Sequence, residues 1–163
     1  MNARRAGVTL ALVHLLLVSA VALKYAADRA RLPSAWARTV PFDPSLPIRG
    51  RYVRLRLQVP MSDTGTTTGA LSRVRLVAAA GRVYAVADSA TGLEATIDTT
   101  ASAPAARLVE PIAFFIPEHV PDPSARPGDE ELWAEVTLPA SGPPRPIRLG
   151  VRRGGAIEPL DLR

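Results

Sequence analysis

The stretch Tyr52-Val53-Arg54-Leu55-Arg56-Leu57-Gln58-Val59 decides the fold. Val53, Leu55, Leu57 and Val59 take every second position, and Tyr52, Arg54, Arg56 and Gln58 fill the gaps. A period of two puts the apolar side chains on one face of a pleated strand and the polar ones on the other. The same alternation returns downstream. Val74, Leu76 and Ala78 oppose Arg73 and Arg75; Leu93, Ala95 and Ile97 oppose Glu94, Thr96 and Asp98; Leu132, Ala134, Val136 and Leu138 oppose Trp133, Glu135 and Thr137. Val83 to Ala87 reads as a weaker strand, and Arg107 to Ile116 as an apolar run broken at Pro111. Ile147–Arg152 and Ala156–Leu160 flank Arg153-Gly154-Gly155, a strong hairpin signal.

Turn residues separate these runs. Ala79-Ala80-Gly81 turns the chain, Pro60 to Ala70 and Thr99 to Ala105 read as loops, and Pro117 to Gly128 holds too many prolines for a regular element. No useful helical period appears after the N-terminal apolar segment, which Ala27 to Arg31 can extend by a turn, and there is no internal repeat. The expected fold class is all-β, a compact antiparallel sandwich or open barrel of about seven or eight short strands.

Upstream the character changes. Val8 to Leu23, VTLALVHLLLVSAVAL, carries no charge, with Arg4 and Arg5 before it and Lys24 and Tyr25 after it. Extended from Ala6 to Ala27, it reaches the roughly 20 residues that a hydrocarbon core requires. Lys24 can snorkel and Tyr25 suits the headgroup level. The sequence therefore predicts a short tail at 1–5, a transmembrane anchor at 6–27, a proline-containing linker at 28–47 and an extracytoplasmic β domain at 48–163. A five-residue tail before a long domain favours the N-terminus inside. The rival reading is a cleaved signal peptide, with Ala20-Val21-Ala22 as the site and Ala35-Trp36-Ala37 as a poorer second one. His14 within the span reads as a neutral imidazole tolerated in a single helix.

Composition narrows the chemistry. The chain has 163 residues, no cysteine and a net charge of +5. Lys24 is its single lysine, so arginine carries the positive charge. Disulfides, thiolate metal sites and cysteine nucleophiles are excluded. A serine–lysine dyad is excluded as well, because Lys24 sits at the bilayer edge. His119 is the one histidine outside the span. It lies in a proline-framed segment beside Glu118, and neighbours in an extended chain point apart. Asp122, Asp129, Glu130 and Glu131 cluster in sequence but lack a calcium-loop spacing. No cofactor or metal site is expected, and no nucleic-acid partner is expected for an anchored chain.

The distinctive surface feature is an arginine stripe. Arg54, Arg56, Arg73 and Arg75 occupy polar faces of two strands that are candidates for neighbours. Like charges in adjacent rows need acids or an external anion between them. Pairing with Glu94, Glu131 or Glu135 is one reading; docking to anionic headgroups or an acidic partner is the other.

Arg49-Gly50-Arg51-Tyr52-Val53-Arg54-Leu55-Arg56-Leu57 resembles the signature of the GDYxxLxY family of bacterial membrane-anchored proteins. Gly50, Tyr52 and Leu55 match it, while Arg51 replaces the aspartate and Leu57 the final tyrosine. Phe42-Asp43-Pro44 with Leu46 resembles the family's lead-in, and Phe114-Phe115-Ile116-Pro117-Glu118 a second block. The resemblance implies a bacterial membrane-anchored protein that accompanies a multi-pass membrane protein; with the N-terminus inside the inner membrane, the C-terminal domain is expected in the periplasm or outside. It transfers no reaction. Without the aspartate, the signature reads structurally: Gly50 permits a tight entry or bulge, Tyr52 is amphipathic and Leu55 packs the core.

Two functions follow from these readings. The first is a non-catalytic accessory or partner-binding domain, held in lipid through residues 6–27. The second is an envelope hydrolase using two of Glu110, Glu118, Glu131 and Glu135, which requires a pair of carboxyls in one cleft. Exposure of Phe114, Phe115 and Trp133 as one patch would mark a partner site; burial would mark core.

Overall fold

The computed structural model describes residues 3–42, 52–62, 71–99 and 103–162. Gly50, Arg51, Asp43, Pro44 and Leu46 lie outside the described residues, as does most of the 60–70 loop. The chain divides into two compact units, Met1–Leu32 and Pro33–Arg163.

The first unit is a helix, α1 (Ala3–Arg31). Leucine and alanine favour it, Arg29 and Arg31 complement the dipole of its last turn, and Pro33 stops it. The segment Arg5–Arg31 is long and apolar enough to cross a membrane. At 1.5 Å per residue its 27 residues reach ~40 Å. Two of its polar side chains turn back on the helix itself. Thr9 Oγ1 donates to the Arg5 carbonyl at 2.9 Å, and His14 Nδ1 donates to the Leu10 carbonyl at 2.9 Å. Each bond lowers the cost of placing a polar group in hydrocarbon.

The second unit is all-β. Its strands are β1 (Ser34–Pro41), β2 (Tyr52–Pro60), β3 (Leu71–Ala79), β4 (Arg82–Ala87), β5 (Leu93–Asp98), β6 (Ala105–Leu108), β7 (Ile112–Phe115), β8 (Glu131–Thr137), β9 (Arg145–Arg153) and β10 (Ala156–Pro159). The sheet order is β10-β9-β8-β1-β4-β3-β5-β6-β2-β7, and an added β1–β2 pairing closes six strands into a ring, β1-β4-β3-β5-β6-β2. The barrel is thus closed, and β8, β9 and β10 extend it from β1. Neighbours pair antiparallel except β1 and β4, which meet in parallel at Trp36 and Arg82.

β1 is the hub. Trp36 pairs with Glu135 of β8 on one side and Arg82 of β4 on the other; Arg38 pairs with Trp133 of β8 and Gln58 of β2. β4 and β2 therefore share the edge of β1 that β8 leaves open. This corrects the linker expected over 28–47. Its first residues continue α1 to Arg31, and Ser34–Pro41 is a central strand with Ala35, Ala37 and Thr39 buried. Alanine and threonine gave the inward face too little hydrophobic contrast to stand out, and Pro33 and Pro41 bracket the strand rather than break it.

The core is the inner face of the ring. Leu55, Leu57 and Val59 of β2 are fully enclosed, and Val53 is nearly so. Val74, Val83, Ile97, Leu149 and Val151 meet them. Burying each such aliphatic side chain stabilises the fold by ~1.5–3 kcal/mol. The one buried hydroxyl of β1 is satisfied, because Thr39 Oγ1 donates to the Leu132 carbonyl at 2.8 Å. Ala78, expected inward, is exposed as β3 nears its hairpin. There Ala80 and Gly81 take φ of 48° and 73°, a primed two-residue turn; Gly154 and Gly155, at 58° and 116°, serve β9–β10. The 107–116 run breaks at Pro111 as expected, giving β6 and β7, both on one edge of β2.

Candidate functional site

One residue row crosses the barrel wall and its extension. Gln58, Arg38, Trp133 and Gly150 stand directly opposite one another on β2, β1, β8 and β9. Glu131 lies two residues from Trp133 on β8, on the same outer face, and pairs in register with Arg152 of β9. Trp133 is buried although it faces outward. Arg82 and Arg152 cover it, each guanidinium carbon 5.6 Å from the ring centroid.

Glu131 is the acceptor at the centre of this cluster. Arg38 Nε reaches Oε1 at 3.1 Å; Arg152 Nη1 and Trp133 Nε1 donate to Oε2 at 3.4 and 3.2 Å. Arg82 has no carboxylate within 4.0 Å among the described residues. These groups line a cavity of about 170 Å³, with Gln58, Pro60, Val83, Pro104 and Ala105 completing its wall. Three guanidiniums and one carboxylate leave it two positive charges in excess.

The neighbouring acids are held as firmly. Glu135 accepts from Arg148 and from Ser34 Oγ. Glu130 accepts Arg153 Nε at 2.7 Å and Arg126 Nη1 at 3.4 Å. The hydrogen bond from Arg153, then its charge, holds the Glu130 carboxyl below the usual glutamate range and raises the Arg153 guanidinium in return. Asp88 is likewise lowered, mainly by the backbone N–H groups of Ala90 and Thr91 at 3.0 and 3.4 Å. Asp122 closes a local turn on the Ser124 N–H. Asp122, Glu130 and Glu131 are thus spent on separate partners.

The expected arginine stripe is divided. β2 and β3 stand opposite each other in the ring, with two strands between them in either direction. Arg54 and Arg56 stack on Phe42 instead, at 5.0 and 4.0 Å from its centroid. Arg73 and Arg75 are exposed on β3, with Arg73 in register with Glu94. None of the four has an ion pair within 4.0 Å among the described residues. Strand order, which period-two reading does not supply, separated them.

The carboxylates expected of a hydrolase are also dispersed. Glu131 and Glu135 share β8 but lie four residues apart, roughly 13 Å along an extended strand, beyond the ~9.5 Å limit of an inverting pair. Glu110 lines a different cavity, about 230 Å³, beside Glu94, Ile112 and Pro143. Glu118 and His119 are exposed in a turn closed by Val120 N–H on the Pro117 carbonyl at 3.2 Å.

The aromatic trio splits too: Trp133 is buried, Phe114 packs on the core, and Phe115 is 74% exposed. The two sequence blocks that carried the resemblance pair with each other. Tyr52 stands opposite Phe115 and Leu55 opposite Ile112 on β2 and β7. Leu55 is core, Tyr52 is half-buried, and Pro117 follows the end of β7. Sequence reasoning missed Arg38, Arg82, Arg152 and Trp133 as a group, because Arg38 sat in the supposed linker. No family model, curated protein or solved structure matches this chain.

Proposed function

We propose that this chain is a single-pass protein of the bacterial inner membrane, its β domain periplasmic, acting as a non-catalytic partner-binding or accessory protein. The carrying observation is α1. All ten of its leucines and valines between Val8 and Leu23 expose 47–70% of their surface. An uncharged helix that is apolar all round prefers lipid to water.

The strand at Ser34–Pro41 bears on processing. Cleavage after Ala37 would divide β1 and strip the start of the strand that joins β2, β4 and β8. That disfavours the second signal-peptidase site and leaves Ala20-Val21-Ala22 as the rival.

A binding role rests on the surface. The carboxylates of β8 neutralise arginines, whereas Phe115 on the edge strand β7 and Leu71 on β3 are apolar and exposed. The resemblance to the GDYxxLxY family suggests a multi-pass membrane protein as the partner. The test is affinity purification of the full chain, natively expressed, from membranes dissolved in mild detergent. A stoichiometric multi-pass protein in the eluate supports the proposal. A clean monomer, with no partner at native expression, counts against it.

A further inference from the structure

We infer that the cavity between β1, β2, β4, β8 and β9 is a binding site for a small phosphomonoester, with Arg82 as its principal anion contact. The argument starts from charge. Glu131 already answers one of the three guanidiniums that line the cavity, and two positive charges remain. A phosphomonoester carries about −1.5 to −2 at pH 7 and matches that excess; a single carboxylate matches half of it. Arg38 and Arg152 each spend one N–H direction on Glu131. A guanidinium has five N–H donors, so most of each fork is left for an oxyanion, and among the described residues Arg82 has its whole fork.

The site is positioned by the backbone. Arg82 follows the tight β3–β4 turn, pairs with Trp36, and is tied there by Trp36 N–H on the Gly81 carbonyl at 3.0 Å. Its guanidinium rests over Trp133. Pro60, Val83 and Pro104 add carbon rather than charge to the lining. A volume of about 170 Å³ is close to the roughly 150 Å³ that accommodates a benzene ring. The fitting ligand therefore has a phosphate head on a ring-sized apolar body. Such a head also occurs on a lipid, as in phosphatidic acid.

The test is calorimetric titration of the full chain in non-ionic detergent micelles with phenyl phosphate, with benzyl alcohol as the uncharged comparison. Phosphatidic acid in mixed micelles, against phosphatidylcholine, distinguishes a membrane source from a soluble one. Saturable binding of phenyl phosphate or of phosphatidic acid is expected, with benzyl alcohol and phosphatidylcholine silent. Arg82→Gln should weaken it at least tenfold while lowering the melting temperature only slightly, because the residue loses its stacking over Trp133 but no ion pair among the described residues. Arg75→Gln, on the exposed face of β3, should leave affinity unchanged. Absence of saturation by either phosphate would overturn the inference. So would equal binding of benzyl alcohol, or full affinity in Arg82→Gln.

Discussion

The indole of Trp36 fills the space where Gly150 has no side chain. A Cβ on Gly150 would come within 2.8 Å of Trp36 Cζ3 and 3.0 Å of the Glu158 carbonyl oxygen. Trp36 belongs to β1 and Gly150 to β9, with β8 between them. The indole thus reaches across a strand, with Arg148 5.4 Å from its centroid. This contact ties the β8–β10 extension to the hub of the barrel.

Gly150→Ala should therefore destabilise the domain by ~1–3 kcal/mol, the usual cost of overpacking. The backbone carbonyl of Glu158 cannot retreat cheaply, and the indole is rigid. Thermal unfolding of the full chain would show the loss. Adding Trp36→Ala should shrink the cost of the alanine, since residues in contact couple. Equal costs in both backgrounds would mean that the indole is not what Gly150 makes room for.

The domain boundary gives a second prediction. A chain beginning at Pro33 should fold, because unit Pro33–Arg163 contains every strand among the described residues. A chain beginning at Phe42 should aggregate or remain unfolded. It lacks β1, and the edges of β2, β4 and β8 that β1 covers would be left as unpaired backbone. Circular dichroism and size-exclusion profiles of the two fragments separate the cases. A monomeric, cooperative 42–163 fragment would show that β1 is dispensable.

That same strand shows where sequence reading stopped. β2, β5 and β8 were legible because leucine, isoleucine and valine alternate with charged or polar residues. Ser34–Pro41 alternates as regularly, but its inward residues are Ala35, Ala37 and Thr39. Small residues suit the crowded point where three strands meet one, and they leave no hydrophobic signal. The arginine cavity was lost with β1, since Arg38 is its link to Glu131. The pairing of Tyr52 with Phe115 was out of reach for another reason. Local patterns identify strands, but order in a closed ring depends on contacts distant in sequence. The helix needed no partner to be recognised, because length and apolarity are properties of the segment alone.

The ion-paired loop makes stability depend on pH. In the folded state Glu130 titrates below its unfolded value, held down first by Arg153 and then by Arg126. A lowered carboxyl stabilises the fold at pH above the unfolded value, roughly 4.3, and that contribution is lost as pH falls through the folded value. Asp88 adds to the same slope through its backbone hydrogen bonds. Melting temperature should stay level on the neutral side of this range and decline on the acid side. Glu130→Gln should lower the neutral plateau and flatten the acid decline. A variant with the wild-type acid slope would place the titrating group elsewhere.

The anchor can be tested by energetics as well as by localisation. Each leucine or valine in mid-helix favours insertion by ~0.3–0.6 kcal/mol, so the ten between Val8 and Leu23 supply on the order of 3–6 kcal/mol. One arginine at the centre costs ~2.5–3.5 kcal/mol, and two cost about as much as the whole gain. Leu15→Arg alone should therefore reduce the membrane fraction in part, and Leu15→Arg with Leu16→Arg should abolish it. Alkaline extraction of membranes, followed by blotting of pellet and supernatant, reads the outcome. Phe115→Ser, an equally exposed apolar loss in the β domain, should leave the pellet unchanged. If the double arginine variant stays in the alkaline pellet while Phe115→Ser leaves it, the protein is held by its β domain, and α1 is not the anchor.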